Sequence, residues 1–207
     1  MAVTHRPSER PPSGPPLRVA MLVPPWLSVP PPGYGGLEQV VHGLVDALVG
    51  HGHRVTLFGA GRQHGTTADF VSTIDELQYD RLGESLPELA HLARINRLVS
   101  AADFDVIHDH TTIGPLVAGR RAVPTVATVH GNPVGEYGRC SATPTTGWAW
   151  WPSRTPNGGP TPTLPWVGTV HNALDSRDVR SSGRPAVVRC SGWPGSARTG
   201  PDTAIRA

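Results

Sequence analysis

The chain has 207 residues, a formal net charge of +2 and 38% hydrophobic content, which leaves room for one substantial domain and gives too little charge to point to nucleic acid. The Pro-rich, polar start over residues 1–16 lacks the apolar core of a signal peptide, and no run reaches the roughly 20 apolar residues of a membrane-spanning helix. The expectation is a cytoplasmic protein with no transmembrane segment and no nucleic-acid partner, and the irregular surroundings of Cys140 and Cys190 suggest neither a disulfide nor a metal site.

In chain order, Leu17–Val23 (LRVAMLV) is short, apolar and bounded by prolines, which predicts a buried strand. It runs into a bend, PPWLSVPPPGYGGLEQVV, from Pro24 to Val41. From there Leu37, Val40, Val41, Leu44, Val45 and Leu48 recur at helical spacing. The Gly35-Gly36 pair lets backbone approach a ligand, and the free N–H groups of a helix start suit an anion. The bend therefore reads either as a phosphate-binding loop or as a plain βα turn. Glu38 fits a first-turn acid favoured by the helix dipole better than a catalytic base.

The helix should end near His51-Gly52, followed by a strand over His53–Gly59 and a shorter one over Phe70–Ile74. That order predicts a parallel βαβ unit. Pro87–Ala101 sets Leu89, Leu92, Ile95, Leu98 and Val99 on one face of an amphipathic helix. Phe104–Thr112 (FDVIHDHTT) predicts a strand carrying His108, Asp109 and His110 at its end. Ile113–Arg121 predicts a helix, and Pro124–Asn132 (PTVATVHGN) a further strand ending at His130. Ligands of open parallel sheets sit outside the carboxyl ends of the strands, so the loops after the strands over Leu17–Val23, Phe104–Thr112 and Pro124–Asn132 should converge on one crevice. His108 and His110 point to the same face of a strand. On chemistry alone they suit a metal, with Asp109 or His130 as the only third ligand to suggest.

From about Arg139 the periodicity is lost. Residues 139–163 hold Trp148, Trp150 and Trp151 among Pro, Thr and Gly, and neither helix nor strand is expected there. Order returns over Leu164–Asp175 (LPWVGTVHNALD), a strand with a polar exit, and fades again from Ala186 to Gly200.

GYGGLE after the first strand, then DVIHDH, TVHGN and VHNALD, stand in one order and at consistent separations. Through them residues 17–138 and 164–185 resemble the N-terminal half of a family 4 retaining glycosyltransferase of the GT-B fold. The resemblance implies an α/β Rossmann-like parallel sheet flanked by helices, with residues 17–138 as an acceptor-binding domain. Residues 1–16 would be a disordered tail, 164–185 the last strand and interdomain linker, and 186–207 a remnant of the start of the C-terminal domain. It also implies a nucleotide-diphosphate sugar as co-substrate, a small-molecule or glycan acceptor, and neither cofactor nor catalytic metal. Gly35 and Gly36 would approach the donor diphosphate and a phosphate or hydroxyl of the acceptor. His130 would meet the donor sugar as the catalytic histidine, and His108, Asp109, His110 and Asn132 would line the acceptor side. Most cations that hold the donor phosphates, and the paired glutamates of the family, belong to the C-terminal domain, so the chain by itself is expected to be inactive or nearly so. Two other classes share parts of this pattern. A nicotinamide-dependent oxidoreductase has the βαβ order, but here the first loop lacks G-x-G-x-x-G and Phe58-Gly59-Ala60 stands where an acidic residue should end the second strand. A non-catalytic sugar- or phosphate-binding module also fits.

The irregular stretches read either as a tryptophan-rich loop or as coding sequence translated in the wrong frame. Trp has the single codon TGG, so in a shifted frame over residues 147–159 Trp-Ala specifies Gly, Trp-Trp Val and Trp-Pro Ala, which permits a strand and a helix start. The same shift over Val188–Arg198 permits the opening strand of a second domain. On that reading the chain is truncated and frameshifted, residues 139–162 and 186–200 pack poorly, and the product is marginally stable.

Overall fold

A computed structural model describes residues 14–62, 65–118, 121–130 and 148–152, all within one unit that spans Met1–Ala173. The elements are β1 (Arg18–Leu22), α1 (Gly36–Gly50), β2 (Arg54–Ala60), β3 (Asp69–Ile74), α2 (Ser85–Ser100), β4 (Val106–Asp109), α3 (Gly114–Val117), β5 (Thr125–Val129) and β6 (Trp148–Pro152). A 3₁₀ turn at Tyr79–Arg81, which the sequence pattern does not announce, precedes α2. The sheet runs in the order β3-β2-β1-β4-β5-β6 and every pairing is parallel. This is the expected Rossmann-like α/β architecture.

Alternation along β1 explains why helices cover both faces of the sheet. Val19 and Met21, with Val23 just beyond the strand, pack with Val41 and Val45 of α1 and with Val55 and Leu57 of β2. Ala20 and Leu22 turn the other way, toward Phe58, Ile107 and the α2 residues Leu92, Ile95 and Val99. A strand buried on both faces must be apolar at every position, which is why LRVAMLV has no polar alternation. At the opposite end of the strands Arg18 clasps Asp105, with Nη2 at 2.8 Å from Oδ1 and the backbone N–H at 2.7 Å from Oδ2. Asp103 also reaches the guanidinium.

After β1 the chain adds β2 and β3 on one side, and then returns with β4 to the other side of β1. The carboxyl ends of β1 and β4 therefore flank the point where the winding reverses, the place where sheets of this kind open a crevice for ligands. The register sets Leu22 beside Asp109, so the bend after β1 and the histidine loop after β4 leave the sheet at the same level.

Two expectations change. The helix after β4 covers four residues, Gly114–Val117, where Ile113–Arg121 was expected. Gly119 is a poor helix former, and Arg121 is drawn inward by an ion pair described below. Strand β6 lies within the stretch expected to be irregular: Trp148–Pro152 pair in parallel with Thr125–Val129. Beyond β4 the main chain of β5 pairs with this extended segment, and aromatic residues suit a strand. In β3, Thr73 falls at a register shift, since Gly59 pairs with Ser72 and Ala60 with Ile74. The strand expected over Leu164–Asp175 lies outside the described residues, as do the tail over residues 1–13 and the segment 186–207.

Candidate functional site

The two glycines of the bend do different jobs. Gly35 is the N-cap of α1, and its carbonyl accepts the first helical bond from the Gln39 N–H at 2.9 Å. A Cβ on Gly35 would lie 2.6 Å from Pro31 Cβ, too close for any side chain, so this glycine is required by packing. A Cβ on Gly36 would meet nothing within 4 Å. The open backbone at the helix start is therefore at Gly36, whose N–H, like that of Leu37, precedes any available i−4 carbonyl. Glu38 is buried in the same turn, and its carboxyl is pushed up by desolvation, with a backbone bond from its own N–H pulling the other way. It behaves as the first-turn acid expected of it and not as an exposed base. Tyr34 stands 89% exposed on the bend just before Gly35.

Strand alternation divides β4 into two faces. His108 and His110 share the face of Val106, which packs toward the α1 side, while Ile107 and Asp109 face α2. On the first face β5 contributes Thr128 and, one step beyond its end, His130. His108 Nε2 lies 2.7 Å from Thr128 Oγ1. His110 Nδ1 lies 2.8 Å from His130 Nε2, the two rings stacked with centroids 5.1 Å apart. The His108 and His110 rings are 4.2 Å apart. Burial holds all three imidazoles neutral. His108 and His130 are lowered to about 4, His130 with a further push from His108, and His110 lies well below its usual value because His108 and His130 add to its desolvation. Among the described residues no three His, Cys, Asp or Glu side chains are disposed to hold a metal ion, and the H-x-H pair takes part in a stack of imidazoles.

Asp109 stands apart from its histidine neighbours. It is fully buried on the opposite face, and both oxygens are engaged. Oδ1 accepts from the Thr111 N–H at 2.9 Å and from Thr111 Oγ1 at 2.6 Å, while Oδ2 pairs with Arg121 Nη1 at 2.7 Å. Arg121 Nε also donates to Asn96 Oδ1 of α2 at 2.9 Å. Glu88, another buried residue of α2, accepts from the backbone N–H groups of Thr112 and of Ile113, the latter at 3.0 Å, and so covers the start of α3. Its carboxyl is raised by desolvation, against those two backbone bonds. Gly114 permits this arrangement, because a Cβ there would fall onto the Asp109 carboxylate and the Thr111 hydroxyl. Asp109 thus fixes the loop after β4 from below, which does not suit the acceptor contact expected of it.

A second buried histidine device lies under the bend. His91 of α2 bonds the Val23 carbonyl through Nε2 at 2.7 Å and meets Thr73 Oγ1 through Nδ1. A carbonyl can only accept, so Nε2 carries the proton. Desolvation lowers His91 to about 4, although the Val23 carbonyl and Asp109 favour its charged form. The chain therefore leaves β1 with the first carbonyl beyond the strand already bound from α2.

Of the residues expected at the site, the structure brings Gly36 of the bend and His108, His110 and His130 to the carboxyl edge of the sheet, withdraws Asp109, and does not describe Asn132. Sequence reading missed Glu88, His91, Thr128 and Arg121. Three of these lie on elements read as plain helix or strand, and Arg121, expected to end a helix, signals its partner only through the fold.

Residues 34–157 match the family described as Glycosyltransferase Family 4. Among solved structures, one match is the crystal structure of AviGT4, a glycosyltransferase involved in Avilamycin A biosynthesis, at 33% identity and a TM-score of 0.43. The match covers 58% of this chain and 34% of that one, so the chain spans about a third of the length of the solved relative. No curated protein matches the sequence.

Proposed function

Because this chain belongs to glycosyltransferase family 4, we propose that its crevice is the acceptor-side wall of a site that transfers a sugar from a nucleotide diphosphate to an acceptor hydroxyl. One observation carries the reading: the open helix start at Gly36 and the His130 ring leave the carboxyl edge of the sheet around its winding reversal, from β1 and β5 on either side of β4. In such a transfer the anomeric carbon loses its bond to the diphosphate oxygen and gains one to the acceptor oxygen, while the acceptor hydroxyl gives up its proton. Negative charge grows on the leaving diphosphate, where backbone N–H groups at a helix start and cations are useful.

Within this reading Gly36 and Leu37 offer main-chain donors to a phosphate or hydroxyl, His130 meets the donor sugar as the catalytic histidine, and His108 with Asn132 faces the acceptor. Gly35 supports the turn without touching ligand. Two of the described arginines are already engaged: Arg18 is bound at the far end of β1, and Arg121 is buried with Asp109.

Calorimetric titration of the chain with uridine- and guanosine-diphosphate hexoses, and with NAD as control, tests the reading. Saturable binding of a nucleotide sugar, weakened by His130→Ala and absent with NAD, is expected. Binding of NAD in preference to every nucleotide sugar would overturn it. Binding without turnover would favour the non-catalytic module for this chain, and turnover would remove the expectation of inactivity.

A further inference from the structure

His110 is enclosed, and among the described residues only one of its nitrogens has a partner. Nδ1 faces His130 Nε2 at 2.8 Å, and Nε2 is buried with no hydrogen-bond partner among the described residues. Both rings are held neutral by burial, so a single proton lies between them, and it can belong to either ring. If His130 donated it, His110 would carry its own proton on Nε2 and seal an N–H away from every acceptor among the described residues. Orphaned buried N–H groups are among the rarest features of folded proteins, and leaving one unsatisfied costs more than leaving an acceptor short. If His110 donates from Nδ1, the enclosed Nε2 is a bare nitrogen and no donor is stranded.

We infer that His110 is a positioning residue which donates Nδ1–H to His130 Nε2, and thereby fixes His130 as the Nδ1–H tautomer with its remaining nitrogen a hydrogen-bond donor. Histidine in water prefers the Nε2–H form, so the arrangement reverses the default. A neutral ring with Nδ1–H and an occupied Nε2 has no free lone pair, so His130 cannot take a proton from an acceptor hydroxyl. It can only donate a hydrogen bond, to a ligand hydroxyl or phosphate oxygen. His110, expected from the sequence to touch the acceptor, acts instead through its neighbour. The consequence for ligand rests on the nucleotide-sugar reading of the site, whereas the tautomer itself does not.

Long-range proton–nitrogen correlation spectra of the ¹⁵N-labelled chain report the tautomer of each histidine without any ligand. The expected result is Nδ1–H for both His110 and His130 in the unaltered protein. Asn places an amide nitrogen near the position of imidazole Nδ1, so His110→Asn should keep His130 in the Nδ1–H form, and His110→Leu should return it to Nε2–H. Nucleotide-sugar affinity should fall about tenfold in His110→Leu, the loss of one oriented hydrogen bond, and recover in His110→Asn. Nε2–H on His130 in the unaltered protein overturns the inference even if His110→Leu fails to fold, and so does an unchanged His130 tautomer in a folded His110→Leu. The expected tautomers with no nucleotide-sugar binding would count against the functional reading alone.

Discussion

Asp109 and Arg121 form an ion pair at 2.7 Å with side chains 0% and 5% exposed, so that the strand bearing the site histidines is tied to the chain that follows α3 by a bond sealed from water. Removing one partner leaves the other charge buried and unpaired, which typically costs about 3–5 kcal/mol. Asp109→Ala and Arg121→Ala should each destabilise the fold by that order in urea denaturation. The double variant should lose less than the sum, because the second substitution removes the stranded charge. Additive losses would show that the pair does not couple in solution.

The glycine pair separates packing from binding. Gly35→Ala drives a methyl group into Pro31, a contact at 2.6 Å that only backbone movement can relieve, so stability should fall by about 1–3 kcal/mol. Gly36→Ala meets open space and, at the first helical position, should leave stability within about 0.5 kcal/mol while weakening nucleotide-sugar binding. Thermal melts and titrations on the two variants decide it. Equal loss of stability in both would contradict the division of labour.

Glu88 makes a further separable contribution. Its carboxylate receives the Thr112 and Ile113 N–H groups at the start of α3, and charge-assisted bonds of this kind are about twice as strong as neutral ones. Glu88→Ala should cost about 2 kcal/mol, and Glu88→Gln, which keeps one accepting oxygen, less than half of that. Amide hydrogen exchange at Thr112 and Ile113 should rise in the alanine variant before exchange in β1 does. Uniform acceleration throughout the sheet would mean that Glu88 supports the whole fold and not this loop.

Much of this arrangement is legible in the sequence because its cause is local. An apolar run bounded by prolines, a helical spacing of Val and Leu from Leu37 to Leu48, and strands ending in histidine follow from periods of two and 3.6 residues. The same periods put His108 and His110 on one face. What they cannot show is which residue across the sheet completes a polar group. Asp109 and His110 look equivalent in DVIHDH, yet one faces α2 and Arg121 and the other His130. Arg121 lies twelve residues from Asp109, and Glu88 twenty-four from Thr112. Such pairings are made by tertiary packing and leave no periodic trace. Trp148–Pro152 show no alternation for a related reason: an edge strand is held by main-chain bonds to its neighbour, which leave no side-chain pattern.

Acid should unfold the protein through its buried histidines. His91, His108 and His130 are lowered from 6.5 to about 4, and His110 further still, in each case chiefly by desolvation. Above pH 6.5 neither the folded nor the unfolded chain protonates these groups, and they add no pH dependence. Between pH 6.5 and about 4 the unfolded chain binds protons that the folded one refuses, so stability falls with pH, by about 1.4 kcal/mol per pH unit for each histidine. Glu38 and Glu88 act with the opposite sign, since their raised folded values give stability that is fully present below 4.5 and lost as pH rises through those values. They offset part of the decline. Urea titrations from pH 7.5 to 5 should therefore show a steep drop, and His130→Gln should flatten it by about one histidine's slope. An unchanged midpoint across that range would mean that the imidazole stack is open to water, and with it would go the enclosed donor from which the His130 tautomer is argued.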